Sequence, residues 1–199
     1  MKLYGVPKSR SSRVEWLLQE VGAQYEFVQL DFNKGDLKAP PHLARHMHGL
    51  VPAFEDGPLH MIESAAICLH VADKVGKLAP APGTNERAKY YQFITYAVST
   101  LDDNLIPMLF HSVILPPEHR KPEIVQKARA VWDVAGRFLT KELGAGPFLL
   151  GAEFSAADVV VGYDLGIAKG LGLLADLPAL DAYAGRLMSR PAFAKAHRL

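Results

Sequence analysis

The apolar side chains at the start of the chain follow first a strand pattern and then a helix pattern. Residues 2–6 form a short β-favouring run. After a polar loop, apolar residues recur at helical spacing from Val14 to Val21, where a glycine follows. Residues 26–30 form a second β-favouring run. The order strand, helix, strand is therefore predicted here.

Two short strands and a helix are predicted next. Residues 53–55 and 60–62 flank an Asp-Gly-Pro sequence that favours a hairpin turn. Residues 64–75 carry apolar side chains in the compact pattern of a largely buried helix, and a short helix is expected around residues 42–47. This part of the chain should thus run βαβ and then ββα.

A change of composition divides the chain near residue 80. Residues 76–85 are rich in glycine, proline, alanine, lysine and threonine, which is typical of a linker. We predict one domain over residues 1–77, a linker over residues 78–85 and a second domain over residues 86–199.

The second domain has the pattern of an all-α structure. Long amphipathic segments over residues 87–113 and 123–143 predict two helices. Shorter helices are expected over residues 177–189 and after Pro191.

A capping motif marks the start of a further helix. In the sequence Ser-Ala-Ala-Asp, Ser155 can cap the amide of Asp158 and Asp158 can return a hydrogen bond to the amide of Ser155. Phe154 and Val159 stand at the two positions of a hydrophobic staple. A helix is therefore predicted from residue 156 onwards.

The composition is that of a soluble globular protein, with 49% hydrophobic and 22% charged residues. Lys and Arg number 22 against 21 Asp and Glu, so there is no excess of positive charge for binding nucleic acid. The start of the chain lacks the long apolar core of a signal peptide, and no apolar stretch approaches the ~20 residues that span a bilayer. We therefore expect a cytoplasmic protein that has neither nucleic acid nor membrane as a partner.

The cysteine and histidine content limits the possible chemistry. Cys68 is the only cysteine, which excludes a disulfide within the chain, a Cys-x-x-Cys redox pair and a thiolate zinc site; because it lies in an apolar segment, it is interpreted as a buried core residue. Any sulfur chemistry must use a sulfur that the substrate brings. His42, His46 and His48 have a spacing that could ligate a metal, but no carboxylate or cysteine clusters with them. We expect no metal and interpret these residues as exposed helix histidines.

Three motifs, in this order along the chain, together resemble the cytosolic glutathione transferase superfamily. They are Leu3-Tyr4-Gly5 with the serine-rich turn (Ser9, Ser11, Ser12) before Arg13-Val14; Val51-Pro52-Ala53-Phe54 with Glu63-Ser64-Ala65-Ala66-Ile67; and the capping motif of Ser155 to Asp158.

The resemblance implies a bacterial-type, serine-type glutathione S-transferase. It implies an α/β thioredoxin-like N-terminal domain (βαβ-ββα, mixed sheet) that binds glutathione, and an all-α C-terminal domain that holds the second substrate. The expected reaction joins the glutathione thiolate to a small electrophilic hydrophobic compound, in a homodimer without a metal. A glutathione-dependent isomerase or dehalogenase, or a non-catalytic protein-binding module, are the alternatives on the same fold.

The resemblance also assigns glutathione-binding residues. In the family the proline matching Pro52 is cis, and Val51 presents its amide and carbonyl to the cysteinyl unit. Ser64, at a helix start where unpaired amides favour an anion, would bind the γ-glutamyl carboxylate, with Glu63 beside it for the ammonium group. Lys38 matches a basic position that reaches the glycyl carboxylate in some classes. Leu50 departs from the family pattern, which has a polar residue there, so only its backbone can serve.

Three residues are candidates for activating the thiol. In serine-type members the active hydroxyl lies in the loop before the first helix, which favours Ser9 first and Ser11 second; Ser12 is expected to be a cap or a surface residue. Tyr4 matches the position used by tyrosine-type classes. Candidates for contacts with the second substrate lie on the long helix of the second domain: Tyr96, Thr100, Met108 and His111.

Overall fold

A computed structural model describes residues 1–198 and divides into two compact units. The first unit contains Met1–Ala79 together with the C-terminal segment that starts at Ser189, and the second contains Pro80–Met188. The domain boundaries inferred from the sequence stay a prediction. The structure adds that the last helix groups with the first unit, whereas the sequence pattern places it in the helical domain.

The first unit is built on a mixed four-stranded sheet, as predicted. Strands β1 (Lys2–Gly5), β2 (Glu26–Gln29), β3 (Ala53–Asp56) and β4 (Leu59–Met61) lie in the order β2-β1-β3-β4. β1 is parallel to β2 and antiparallel to β3, and β3 and β4 form the expected hairpin. In this register Leu3 pairs with both Phe27 and Phe54.

Three helices of the first unit surround a common core. Helix α1 (Ser11–Val21) packs against α3 (Ser64–Val75) and against α9 (Pro191–His197), while the single turn α2 (Pro40–Leu43) follows a 3-10 segment. The buried core contains Cys68, as predicted, and burial raises the pKa of its thiol to about 12. The other large buried side chains come from strands and helices alike: Leu3, Trp16, Leu17, Leu18, Phe54 and Ile67.

The C-terminal segment is attached to α1 by a partly buried ion pair and by aromatic packing. Arg190 donates to both carboxylate oxygens of Glu20 at 2.6 and 2.7 Å, and the same carboxylate accepts from Trp16 Nε1 at 2.9 Å. Phe193 meets the Trp16 ring edge-on with centroids 5.0 Å apart. Such a bidentate guanidinium-carboxylate pair fixes the relative orientation of the two side chains as well as their distance.

The second unit is mostly helical, as expected, although a β-bridge pairs Phe148 with Gly151. The long predicted helix is a run of helical segments in which two π-helical stretches interrupt the α-helical pattern. The segments are α4 (Asn85–Tyr96), a π stretch (Ala97–Leu101), α5 (Asp102–Leu109) and a second π stretch (Phe110–Ile114), and they are followed by α6 (Pro122–Leu143), α7 (Ala156–Gly170) and α8 (Pro178–Met188). Pro107 lies inside α5, where it can donate no helical hydrogen bond. Within residues 1–198 no helix is both long and apolar enough to cross a membrane.

The predicted capping motif is present, and its carboxylate has more partners than the sequence indicated. Asp158 is fully buried and accepts from the Ser155 amide and hydroxyl, each at 2.8 Å. It also accepts from the Leu149 amide at 2.9 Å and from the Tyr183 hydroxyl at 2.6 Å. Asp158 therefore joins the loop before α7 to α8.

We expect Asp158→Ala to lower the free energy of unfolding by about 3–4 kcal/mol, because four donors lose a charged acceptor in the core. Chemical denaturation measured by circular dichroism checks this. Tyr183→Phe, which removes a single donor, should cost about 1–2 kcal/mol. Equal losses for the two variants would show that the carboxylate is not the centre of this network.

Candidate active site

The loop between β1 and α1 carries the first candidate, Ser9. Its half-buried hydroxyl donates to the Val6 carbonyl at 2.6 Å and lies 3.0 Å from the Ser11 hydroxyl. The amide of Ser11, the first residue of α1, donates to Ser9 Oγ at 3.2 Å. Ser9 thus stands at the N-terminus of α1, where the helix dipole favours negative charge.

The two neighbouring serines are buried, unlike Ser9. Ser11 packs on the backbone of Gly5, where an added Cβ would lie 2.5 Å from Ser11 Cβ. Ser12 accepts a hydrogen bond from the Lys8 amide at 3.0 Å and therefore shapes the loop, and the interpretation of Ser12 as a surface residue is wrong. Of the three serines, only Ser9 has solvent-accessible surface to offer a ligand.

The hydroxyl of Tyr4 is engaged on the sheet. It donates to Glu55 Oε2 at 3.1 Å, and the guanidinium of Arg45 lies 4.3 Å from the centre of the Tyr4 ring. Arg45 in turn donates to the other oxygen of Glu55 at 3.1 Å. Tyr4, Arg45 and Glu55 therefore form a closed cluster that ties the segment after α2 to β1 and β3.

The segment before β3 has the geometry that the resemblance implied. The Val51-Pro52 peptide bond is cis. The side chain of Leu50 is 56% exposed, and its carbonyl accepts from His42 Nε2 at 2.8 Å. Val51 is half-buried and precedes the first strand-paired residue, Ala53, by two positions.

Lys38 lies beside this segment. Its ammonium group is exposed and donates to the His48 carbonyl at 2.9 Å, which leaves two of its three donors for a ligand. The adjacent Gly49 has a φ of +60°, and an added Cβ there would come within 2.6 Å of the Leu37 carbonyl oxygen. Glycine is therefore required at position 49, where this segment approaches the backbone of Leu37 closely.

Glu63 and Ser64 form the start of α3. Glu63 is exposed and has φ +69° and ψ +104°, a strained conformation for a residue with a side chain. Ser64 is buried and its hydroxyl accepts from Arg13 Nη1 at 3.1 Å. Because the guanidinium can only donate, the hydroxyl proton of Ser64 remains available to a ligand.

Arg13 supports Ser64 through a hydrogen bond, a role that its place in the sequence motif did not indicate. Its side chain is completely buried between α1 and α3, and the backbone oxygen of the same residue lies 3.9 Å from Cys68 Sγ. The signal that could have found it was a charged residue among the apolar positions of an otherwise buried helix face, since such charges are seldom buried without a partner.

The interpretation of the three histidines as exposed helix residues is wrong for two of them. His42 is 2% and His46 5% exposed, and only His48 is exposed. Helix α2 ends at Leu43, and the segment after it returns to this helix, since the Leu50 carbonyl lies 2.8 Å from His42 Nε2. Within the described residues, no group of three His, Cys, Asp or Glu side chains is arranged to hold a metal ion.

The second-substrate candidates have different surroundings in the helical unit. Tyr96 is half-buried against the Phe138 ring with centroids 4.8 Å apart, and Thr100 accepts from Asn104 through its backbone oxygen at 2.7 Å. Met108 is buried and lines a groove of about 390 Å³ that also has Arg129 and Ser112 in its wall, while His111 accepts from the Lys121 amide at 3.2 Å through Nδ1. The assignment of these four residues stays a prediction. Phe110 and Ile114, which sequence reasoning passed over, expose apolar side chains next to them.

Comparisons with known proteins agree with this geometry. Residues 1–73 match the family described as glutathione S-transferase, N-terminal domain. The chain is 36% identical to a probable glutathione S-transferase, GSTF2 of Oryza sativa subsp. japonica, over 98% of this chain and 94% of that protein.

Solved structures with a similar fold include glutathione transferase F7 from Populus trichocarpa, with a TM-score of 0.88 at 25% identity over 99% of this chain and 97% of that one. Glutathione S-transferase-I bound with lactoylglutathione has a TM-score of 0.87 at 28% identity over 99% and 98% of the two chains. The rice and poplar proteins are plant proteins and give no support to the expectation of a bacterial-type, serine-type member.

His46 should make the stability depend on pH. Burial first, and then the neighbouring His42 and His48, lower the pKa of His46 below its ordinary 6.5, although Glu63 opposes the shift. The unfolded chain therefore binds a proton before the folded chain does, so the stabilisation is complete above about pH 6.5 and is lost as the pH falls below it.

We expect His46→Asn to reduce the difference in urea midpoint between about pH 7.5 and about pH 5.5. Burial also lowers the pKa of His197, so the stability of the variant still depends on pH. The difference in pH dependence between wild type and variant therefore isolates the contribution of His46. The control is His119→Asn, which removes an exposed imidazole of the second unit. An unchanged pH dependence in His46→Asn would contradict this account.

Proposed function

Because the chain belongs to the glutathione S-transferase family, we propose that it joins the thiolate of glutathione to small electrophilic, hydrophobic compounds. The protein binds the tripeptide in the first unit and lowers the pKa of its thiol, and the sulfur attacks the electrophilic carbon of the second substrate. The observation that carries the proposal is the convergence of Ser9, the cis Val51-Pro52 segment and the Ser64 helix start in one thioredoxin-like unit.

The start of α3 is suited to the γ-glutamyl end of glutathione. The amides of its first turn have no partner within the helix, and Ser64 keeps a hydroxyl proton because Arg13 supplies its other hydrogen bond. A carboxylate placed there receives donors and the positive end of the helix dipole. The exposed carboxylate of Glu63 stands next to this point and suits the α-ammonium group.

Ser9 is the group that best suits stabilisation of the thiolate. A free thiol with a pKa of ~8.5 is only a few per cent ionised near neutral pH, so full ionisation offers at most roughly thirty-fold more nucleophile. A drop of ~2 pKa units needs about 2.7 kcal/mol, which one hydroxyl donor and a helix N-terminus can supply together. To donate to sulfur, the Ser9 hydroxyl turns from the Val6 carbonyl, since it has a single proton.

Two alternatives are less compatible with the geometry. Ser11 is fully buried against Gly5, and Tyr4 already donates to Glu55 beneath Arg45.

Lys38 suits the glycyl carboxylate, and the Val51 backbone suits the cysteinyl unit. Contacts to the second substrate from the helical unit, assembly as a homodimer and a cytoplasmic location remain parts of the proposal that the family resemblance implies.

We expect Ser9→Ala to lower turnover of an aryl halide at least tenfold near neutral pH, because the thiolate loses its hydroxyl donor. Turnover is measured at saturating glutathione with product analysis, and the rate of the variant should recover as the pH rises and the thiol ionises unaided. The melting temperature should change little, since the half-buried Ser9 hydroxyl bonds only to its near neighbours Val6 and Ser11.

Ser11→Ala is the matched comparison for that experiment. A tenfold loss in Ser11→Ala with full activity in Ser9→Ala would contradict the assignment of Ser9 while leaving the family unchanged. Retention of wild-type protein on immobilised glutathione without turnover of any electrophile would favour a non-catalytic binding module.

We expect Ser64→Ala to raise the dissociation constant for glutathione about tenfold, because the γ-glutamyl carboxylate loses a hydroxyl donor worth about 1.5 kcal/mol. Titration calorimetry with glutathione measures this. Ser99→Ala, on an exposed helix position where the hydroxyl bonds only its own helix, serves as the control. Equal affinities for wild type and Ser64→Ala would contradict the proposed location of the carboxylate.

A further inference from the structure

His42 is buried in the short helix that faces the segment before β3. Its side chain is 2% exposed, and Nε2 lies 2.8 Å from the Leu50 carbonyl oxygen. A carbonyl oxygen can only accept, so Nε2 carries the proton and donates it. The other ring nitrogen, Nδ1, is buried and has no hydrogen-bond partner among the described residues. The polar contact of this ring therefore goes to one peptide group.

That peptide group contains both the Leu50 carbonyl and the Val51 amide. A peptide unit is planar, and in the trans form its C=O and N–H point in opposite directions. Holding the carbonyl therefore fixes the direction of the Val51 N–H. Among the residues that the structure describes, the Val51 amide forms no hydrogen bond of its own, and strand pairing begins only at Ala53. The amide is left as an oriented donor just before the start of β3.

The histidine that holds this peptide is itself firmly anchored. The His42 amide donates to the Ala39 carbonyl at 3.0 Å, and its own carbonyl accepts from the His46 amide at 2.8 Å. One turn later, Arg45 bonds Glu55 of β3 and covers the ring of Tyr4 of β1. The imidazole therefore links α2, which the nearby Arg45 ties to the sheet, to the segment that precedes Pro52.

The apolar side chain of Leu50 makes the hydrogen bond between His42 and the Leu50 carbonyl important. It is 56% exposed and apolar, so it cannot bond a polar ligand, and the segment has only backbone groups to offer. Ordering a free residue costs about 1–2 kcal/mol, and a segment already held in its binding conformation avoids that cost on association.

We propose that His42 is a positioning residue for glutathione, which aims the Val51 amide at the cysteinyl unit by holding the Leu50 carbonyl; this inference rests on the proposed function. His42 acts through the peptide group and does not touch the ligand. Its loss should therefore affect the binding of glutathione and leave the step of thiol attack almost unchanged.

The test compares His42→Leu, His42→Gln and His42→Asn with wild type. We expect His42→Leu to raise the KM and the dissociation constant for glutathione about tenfold, with kcat at saturating glutathione within about twofold. Gln carries an N–H donor that reaches further and should stay within about threefold of wild type, whereas Asn is one carbon shorter and should resemble Leu. His48→Leu makes the same change on an exposed ring and should leave all constants unchanged.

A second measurement needs no ligand. In the free protein, the NMR order parameter of the Val51 amide should fall from about 0.85 in wild type to below about 0.6 in His42→Leu. If His42→Leu does not fold, the Gln and Asn variants decide, and equal dissociation constants for those two would overturn the inference.

The outcomes separate the two proposals. Unchanged glutathione affinity in His42→Leu overturns the role of His42 and leaves the proposed function intact. A wild-type protein that binds no glutathione overturns the proposed function and the aim at the cysteinyl unit with it, and the order parameter of Val51 then decides whether His42 orients this peptide at all.

Discussion

The proposed site depends on how α1 and α3 are held together beneath it. Ser9 stands at the N-terminus of α1 and Ser64 begins α3, so the distance between the proposed thiol and carboxylate positions is set by the packing of these helices. Arg13 crosses their interface and donates to Ser64 at 3.1 Å. A guanidinium cannot shed its charge, and burying it is tolerable only because it is hydrogen-bonded. One buried side chain thus fixes the helices and orients a proposed ligand group.

Backbone groups carry much of the proposed recognition, and side chains hold them in place. The Val51 amide is oriented through His42, the first turn of α3 through Arg13, and the Ser9 hydroxyl through the Ser11 amide. This arrangement explains how an apolar residue can stand at position 50. The Leu50 side chain cannot donate a hydrogen bond to glutathione, but the Val51 amide in the next peptide group can, provided that this peptide does not rotate.

Much of this arrangement could be predicted from the sequence, because local patterns determine it. The strands, the hairpin, α3 and the capping motif at Ser155 follow from periodicity and turn chemistry, and the structure confirms them. The burial of His42 and His46 could not be predicted, since it depends on how the segment after a single helical turn returns to it, as the contact of Leu50 with His42 shows. The ring of Tyr4 illustrates the same limit: its partners, Arg45 and Glu55, come from distant segments that no periodicity brings together.

The first unit needs both ends of the chain, and this bears on its site. Helix α1 packs against α3 on one side and against α9 on another, and the pair of Arg190 with Glu20 fixes the second contact. Because Glu20 also accepts from Trp16, removing the C-terminal segment would leave a carboxylate and an aromatic surface on α1 without their cover. Helix α1, whose N-terminus carries Ser9, is thus supported by residues of the C-terminal segment. In sequence, the helical unit is inserted between the two parts of the unit that we propose to bind glutathione, so the contact of Arg190 with Glu20, which supports α1, joins segments on either side of that insertion.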